Sequence, residues 1–201
     1  MKLAIASLLV ASASAFGPQR AAFARQGTSL NGAAVYYSTS TGNTETVAAY
    51  IADAAGLEAE EIGDASNSDV EGMDGIIVGA PTWHTDADTE RSGTTWDDWL
   101  YSTLPDLDLS GKKVAVFGVG DQQSYNDYYC DAAGELYDLF EAKGCTMVGM
   151  TSTDGYDHSA SKAEKDGKFV GLMCDEDNQY DMSEDRAKAW VEQLKSEGFP
   201  F

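Results

Sequence analysis

The chain has 201 residues, 43% of them hydrophobic, a size and apolar content that suit one medium α/β domain with a buried core. Its 13 Lys and Arg against 34 Asp and Glu leave a net charge of −21, which argues against nucleic-acid binding and for basic protein partners or electrostatic steering. Cys130, Cys145 and Cys174 are too few and too scattered for a disulfide framework or a zinc site, and the lone His84 and His158 offer little to a histidine metal centre or a catalytic triad.

Residues 1–31 read as an address. Lys2 is followed by LAIASLLVASASA, a charged start, an apolar run and a small-residue end, which is the layout of a secretory signal peptide to about residue 15. That run is shorter than the roughly 20 residues a bilayer span needs. The segment FGPQRAAFARQGTSLNG then carries Arg20, Arg25 and several hydroxyls but no acid, as transit peptides do. The ASAF junction (13–16) resembles the two-part presequence of algae with secondary, red-lineage plastids, with Phe16 first after signal cleavage. The mature domain is then expected over 32–201, in a plastid stroma. Losing Lys2, Arg20 and Arg25 leaves ten basic residues against 34 acids, a net charge of −24. The three cysteines read as free thiols in a reducing compartment.

From Ala33 onward short apolar runs alternate with helical patterns, which predicts a parallel sheet with helices on both faces. The strands are expected at 33–38 (AAVYYS), 57–62 (LEAEEI), 75–80 (GIIVGA), 113–120 (KVAVFGVG) and 146–150 (TMVGM). Helices are expected over 44–55 with Gly56 as C-cap, over 95–104, over 130–143, and from an N-cap at Ser183 with Ala187, Trp190, Val191 and Leu194 inward. The predicted class is an α/β, doubly wound, five-stranded parallel sheet whose ligand sits beyond the strand carboxyl ends.

Three strand ends carry chemistry. The first runs through Thr39, Ser40, Thr41, Gly42, Asn43 and Thr44 straight into a helix, so backbone N–H groups and hydroxyls can surround a phosphate without any cation. It has neither a GK[ST] nor a GxGxxG pattern, which excludes a Walker loop and a dinucleotide fingerprint. The third strand ends in Pro81, Thr82, Trp83 and His84, and the fourth in Gly120, Asp121, Gln122 and, three residues on, Tyr125. Trp83 and Tyr125 can sandwich a flat ring, worth on the order of 1 kcal/mol per stacked pair beyond burial.

The segments YYSTSTGNTE, VGAPTW, GVGDQQSY and TSTDGYDHSASKAEKDGKFVGLMCDEDNQ resemble those of long-chain flavodoxins, over essentially all of Ala33 to Phe201. The resemblance implies a flavodoxin-like fold and FMN held noncovalently. Thr39 to Thr44 would take the phosphate, Trp83 and Tyr125 the two ring faces, Gly120 and Asp121 the ring edge, and Asp177 the neighbourhood of the ribityl chain. It implies that residues 151–169 are an insertion splitting the last strand, which resumes near 170–173. It also implies a low-potential one-electron carrier, a monomer, taking electrons from photosystem I to ferredoxin–NADP reductase in place of ferredoxin when iron is scarce. The loop HTDADTERSGTTWDD after Trp83 is longer and more acidic than the commonest pattern of that family.

Two other functions use this architecture. An NAD(P)H:quinone reductase needs nicotinamide and quinone pockets that no segment here displays. A phosphoacceptor receiver needs an Asp at the end of the third strand, where this chain has Ala80, Pro81 and Thr82.

Overall fold

The computed structural model describes residues 32–201, so the targeting segment expected over 1–31 lies outside the described residues. Strand β1 (Ala33–Tyr37) sends Val35 to one core and Tyr36 to the other, as the two-residue period of a strand dictates. It pairs in parallel with β2 (Ala59–Glu61) and β3 (Gly75–Pro81), and β3 pairs in parallel with β4 (Lys113–Val119). The continuous apolar runs of β3 and β4 follow from burial on both faces.

The far edge of β4 is shared by two short strands set end to end. β5 (Thr146–Val148) lies along Lys113–Ala115, and a later segment, Gly171–Cys174, lies along Val116–Val119. The fifth strand is therefore split, as expected. Between its halves the chain forms β6 (Thr151–Ser152), β7 (Glu164–Lys165) and β8 (Lys168–Phe169), a small antiparallel sheet that the sequence showed only as an insertion. The Gly171–Cys174 segment is β9. The main sheet has the order β2-β1-β3-β4 followed by β5 and β9 together.

Helices α1 (Asn43–Ala55) and α5 (Tyr180–Ser196) cover one face, and α2 (Asn67–Gly72), α3 (Thr95–Asp98) and α4 (Asp131–Ala142) cover the other. Gly56 closes α1 at φ 72°, as its C-cap position implies. Three helical expectations need correction. α2 was not foreseen, because six residues with Val70 alone buried give no period to read. The helix expected over 95–104 is regular only to Asp98, then widens to a π turn over Trp99–Thr103 and tightens over Leu104–Asp106, where Pro105 cannot donate a hydrogen bond. Within that stretch Trp96 meets Trp99 edge-on at 5.2 Å, and Trp99 stacks on Phe140 at 6.1 Å. The last helix starts at Tyr180, because the Gln179 N–H donates to the Asp175 carbonyl at 2.8 Å and turns the chain early. Ser183 is therefore fully buried inside the helix and caps nothing.

Two lysines at the head of β4 tie the layers together. Lys112 Nζ donates to the carbonyls of Glu71 and Met73 at 2.7 and 2.6 Å, behind α2, and Lys113 Nζ to those of Glu197 and Gly198 at 3.1 and 2.6 Å, behind α5. Both cap helix C-termini with positive charge. Lys112→Met is expected to lower the urea midpoint by the equivalent of about 1–2 kcal/mol with an unchanged m-value. An unchanged midpoint would show that water replaces the cap at no cost.

Candidate functional site

The loop after β1 turns at Gly42, whose φ of 95° is open to glycine and costly for most other residues. The Gly42 N–H donates to Thr39 Oγ1 at 3.0 Å, and Thr46 Oγ1 donates to the Gly42 carbonyl at 3.1 Å. These bonds shape the loop and leave the opening N–H groups of α1 pointing out, since a first helical turn has no intrahelical acceptors for them. Thr41, Asn43 and Thr44 line the space in front. Thr44 is fully buried, yet among the described residues its hydroxyl has no hydrogen-bond partner. A buried orphan hydroxyl beside a helix N-terminus fits a bound anion, and among the described residues no Lys or Arg lines the same space.

That space is a cleft of about 260 Å³ across the carboxyl ends of the strands. Pro81, Thr82, Trp83 and Thr85 enter it from β3; Val119, Gly120, Asp121 and Tyr125 from β4; and Asp177 from β9. Trp83 and Tyr125 are 49% and 54% exposed, two large rings left uncovered at its rim. An orphan hydroxyl at one end and uncovered aromatic faces at the other suit a ligand with a phosphate and a flat ring, so the residues present fit FMN.

Several expected site residues have another role. Thr39 and Gly42 shape the loop, and Ser40 is exposed outside the cleft lining. Thr82 Oγ1 accepts the Ala132 N–H at 3.0 Å and so anchors the start of α4. Gly120 lines the cleft, but a side chain there would stand 3.2 Å from Cys130 and Tyr129, so packing also demands the glycine. Gln122 does not line the cleft: it is buried behind it, its N–H and Nε2 donate to Asp175 Oδ2 at 3.1 and 2.9 Å, and its Oε1 accepts the Asp157 N–H at 2.6 Å. The His84 ring does not line the cleft either. Its Nδ1 stands 2.6 Å from the Glu90 carbonyl and 3.5 Å from Asp97, so the ring belongs to the loop behind Trp83.

Sequence reasoning missed Val119 and Asp175. Val119 is the last residue of β4, a position the strand itself gave away. Asp175 is fully buried, and its carboxylate accepts N–H groups from Gln122, Asp177 and Asn178, joining the loops after β4 and β9. A run of DEDN directly after an apolar strand was its signal.

Burial pushes the Asp121 carboxyl up, but hydrogen bonds from Ser124, Asn178 and Gln123 outweigh it and hold the carboxyl below its ordinary range. Asp177 goes the other way, raised by burial and by the charges of Asp121 and Asp175. Glu61, Asp131 and Glu176 are also raised, each chiefly by burial. A carboxyl raised on folding binds more protons in the native state, so its stabilisation is present at low pH and fades as pH rises through the folded value. The urea midpoint is therefore expected to fall as pH rises from about 4 toward 7, and a midpoint that climbs steadily over that range would contradict it. The three cysteines are buried and unpaired, and burial pushes Cys145 up to about 11 and Cys174 up to about 12, which makes these thiols inert. Among the described residues no helix is long and apolar enough to cross a membrane.

The family model described as flavodoxin matches residues 35–190. The chain is 46% identical over 168 residues to a flavodoxin of Nostoc sp., an alignment that covers 81% of this chain and 95% of that one. It is 39% identical over 167 residues to flavodoxin 1 of Salmonella typhimurium, covering 81% and 92%. The structure is similar to that of Fusobacterium nucleatum flavodoxin bound to flavin mononucleotide, with a TM-score of 0.74, 27% identity, and 84% and 99% of the two chains covered. With the family match spanning most of the chain and the cleft built to suit its cofactor, this chain belongs to the flavodoxin family of FMN electron-transfer proteins.

Proposed function

We propose that the protein is a low-potential one-electron carrier of the long-chain class, working in a plastid stroma between photosystem I and ferredoxin–NADP reductase, in place of ferredoxin when iron is scarce. The observation that carries the reading is the cleft, with the orphan Thr44 hydroxyl at its base and Trp83 and Tyr125 uncovered at its rim. The split fifth strand supports the long-chain class, and relatives in Nostoc and Picosynechococcus at 46% and 45% identity support a photosynthetic donor. Residues 1–31 are the cleavable presequence, 32–201 the working domain, and the mature chain acts as a monomer.

Bound FMN supplies the redox chemistry. The chain's part is to seat and tune it. Thr41, Asn43, Thr44 and the opening of α1 hold the phosphate, and the two aromatic faces keep water off the ring. Asp121, kept ionised by its three donors, sets a fixed negative charge at the cleft of a domain already at −24. Each carboxylate about 10 Å from an added electron opposes it by roughly 0.5 kcal/mol. At about 59 mV per 1.4 kcal/mol for one electron, several such groups make the reduced carrier a strong reductant.

Acidic rims steer basic partners, and with a Debye length of about 8 Å at physiological salt that steering is screened. Stopped-flow delivery from the FMN-loaded chain to a basic ferredoxin–NADP reductase is expected to slow steeply with ionic strength beyond a low-salt optimum. Rates that stay flat or keep rising would refute the steering. Rapid NADPH oxidation by the loaded chain alone would favour the quinone reductase instead.

A further inference from the structure

The acidic loop between Trp83 and α3 folds back on itself as a strap. The N–H groups of Trp83 and His84 both donate to the Arg91 carbonyl, each at 3.1 Å. On the same stretch, the N–H groups of Glu90 and Arg91 donate to the two carboxylate oxygens of Glu135, at 2.8 and 2.9 Å. The Tyr101 hydroxyl donates to the same Glu135 carboxylate, and the Arg91 guanidinium stands 3.8 Å away. Glu135 projects from α4 and is 5% exposed. A second carboxylate, Asp97, takes the Ser92 and Gly93 N–H groups at 3.0 and 2.8 Å. Gly93 backs so closely on the cleft aromatic that a Cβ there would lie 2.7 Å from Trp83 Cβ.

A carboxylate this deeply buried is costly unless donors surround it, and plain packing of α4 would be served by an apolar side chain. Among the described residues every donor around Glu135 belongs to the strap or to the segment after α3. We propose that Glu135 is a positioning residue for the cofactor: it fixes the Arg91 peptide, whose carbonyl fixes the Trp83 and His84 peptides, and so sets where the Trp83 ring stands against the flavin. This rests on the FMN reading of the cleft. Glutamine cannot replace it, because an amide turned either way sets its NH₂ against a backbone N–H donor.

The test titrates the apoprotein with FMN, following flavin fluorescence and the visible circular dichroism of the bound ring. Glu135→Gln is expected to weaken FMN binding about tenfold, equivalent to ~1.4 kcal/mol, and to change the dichroism. In a Trp83→Ala background the same substitution is expected to change affinity by less than about twofold, since a residue acting through Trp83 has nothing left to position. Glu135→Asp keeps the charge but withdraws it by one methylene. It gives a smaller loss with the same dependence on Trp83, and serves if the glutamine variant does not fold. Unchanged affinity and dichroism would overturn the proposal, as would an equal loss in both backgrounds, which marks a role in general stability. Failure of the unmodified chain to bind FMN would overturn the FMN reading and this proposal together, whereas binding without a Glu135 effect overturns the positioning role alone.

Discussion

A chain with both Trp83 and Tyr125 replaced by alanine is expected to bind FMN about a hundred- to a thousandfold more weakly, with its unfolding midpoint unchanged. Each ring is about half exposed, so neither contributes much to the core. Each has a free face on the cleft, and stacking of a flat heterocycle on such a face is worth roughly 1–3 kcal/mol by alanine substitution. Two faces at about 2 kcal/mol each amount to about three decades of affinity. Fluorescence titration of the apoprotein with FMN reads the loss, and urea unfolding of the apoprotein reads the fold. Affinity within tenfold of the unmodified chain would place the flavin elsewhere.

The largest effect on stability is expected at Gly171, where β9 meets β4. A Cβ on this residue would lie 1.8 Å from the Val116 carbonyl oxygen and 2.7 Å from its carbon. Both obstacles are backbone of the neighbouring strand β4, so no rotamer change relieves the contact. Gly171→Ala must push β9 away from its register with Val116–Val119, and a loss above about 4 kcal/mol is expected from overpacking and broken pairing together. FMN affinity should fall with it, because β9 leads into Asp175 and Asp177. Gly72→Ala, with nothing within 4 Å of the added methyl, is the matched control and should stay within about 0.5 kcal/mol. Urea melts of the two variants that coincide would show that the strand halves are held more loosely than their register implies.

The parallel sheet was legible because strands covered on both faces need unbroken apolar runs, and 75–80 and 113–120 have them. The position of the cleft was legible for a related reason: in such a sheet the functional loops follow the strand carboxyl ends, so Thr41, Trp83 and Tyr125 could be placed without any contact information. What failed was orientation. Gln122 and Gln123 are indistinguishable in the sequence, and which one turns inward is decided by Asp175, 53 residues further on. Ser183, followed by two acids, has the form of a cap, but the turn begun at Asp175 starts the helix earlier. Glu135 reads as an ordinary polar position on α4, since its backbone donors lie 44 and 45 residues back in the strap. Such long-range polar pairings leave no period in the sequence.

The most direct measurement is a titration of the apoprotein with FMN, riboflavin and FAD side by side. If the loop from Thr39 to Thr44 is a neutral phosphate cradle, FMN binds tightest. Riboflavin should then bind at least about a hundredfold more weakly, because without a phosphate the Thr44 hydroxyl and the opening N–H groups of α1 forgo several charge-assisted bonds worth roughly 1.5–3 kcal/mol each in a dry site. FAD should bind more weakly than FMN, since the cleft offers no second phosphate loop. Riboflavin binding as tightly as FMN, or FAD binding more tightly, would contradict the cradle and with it the assignment of the site.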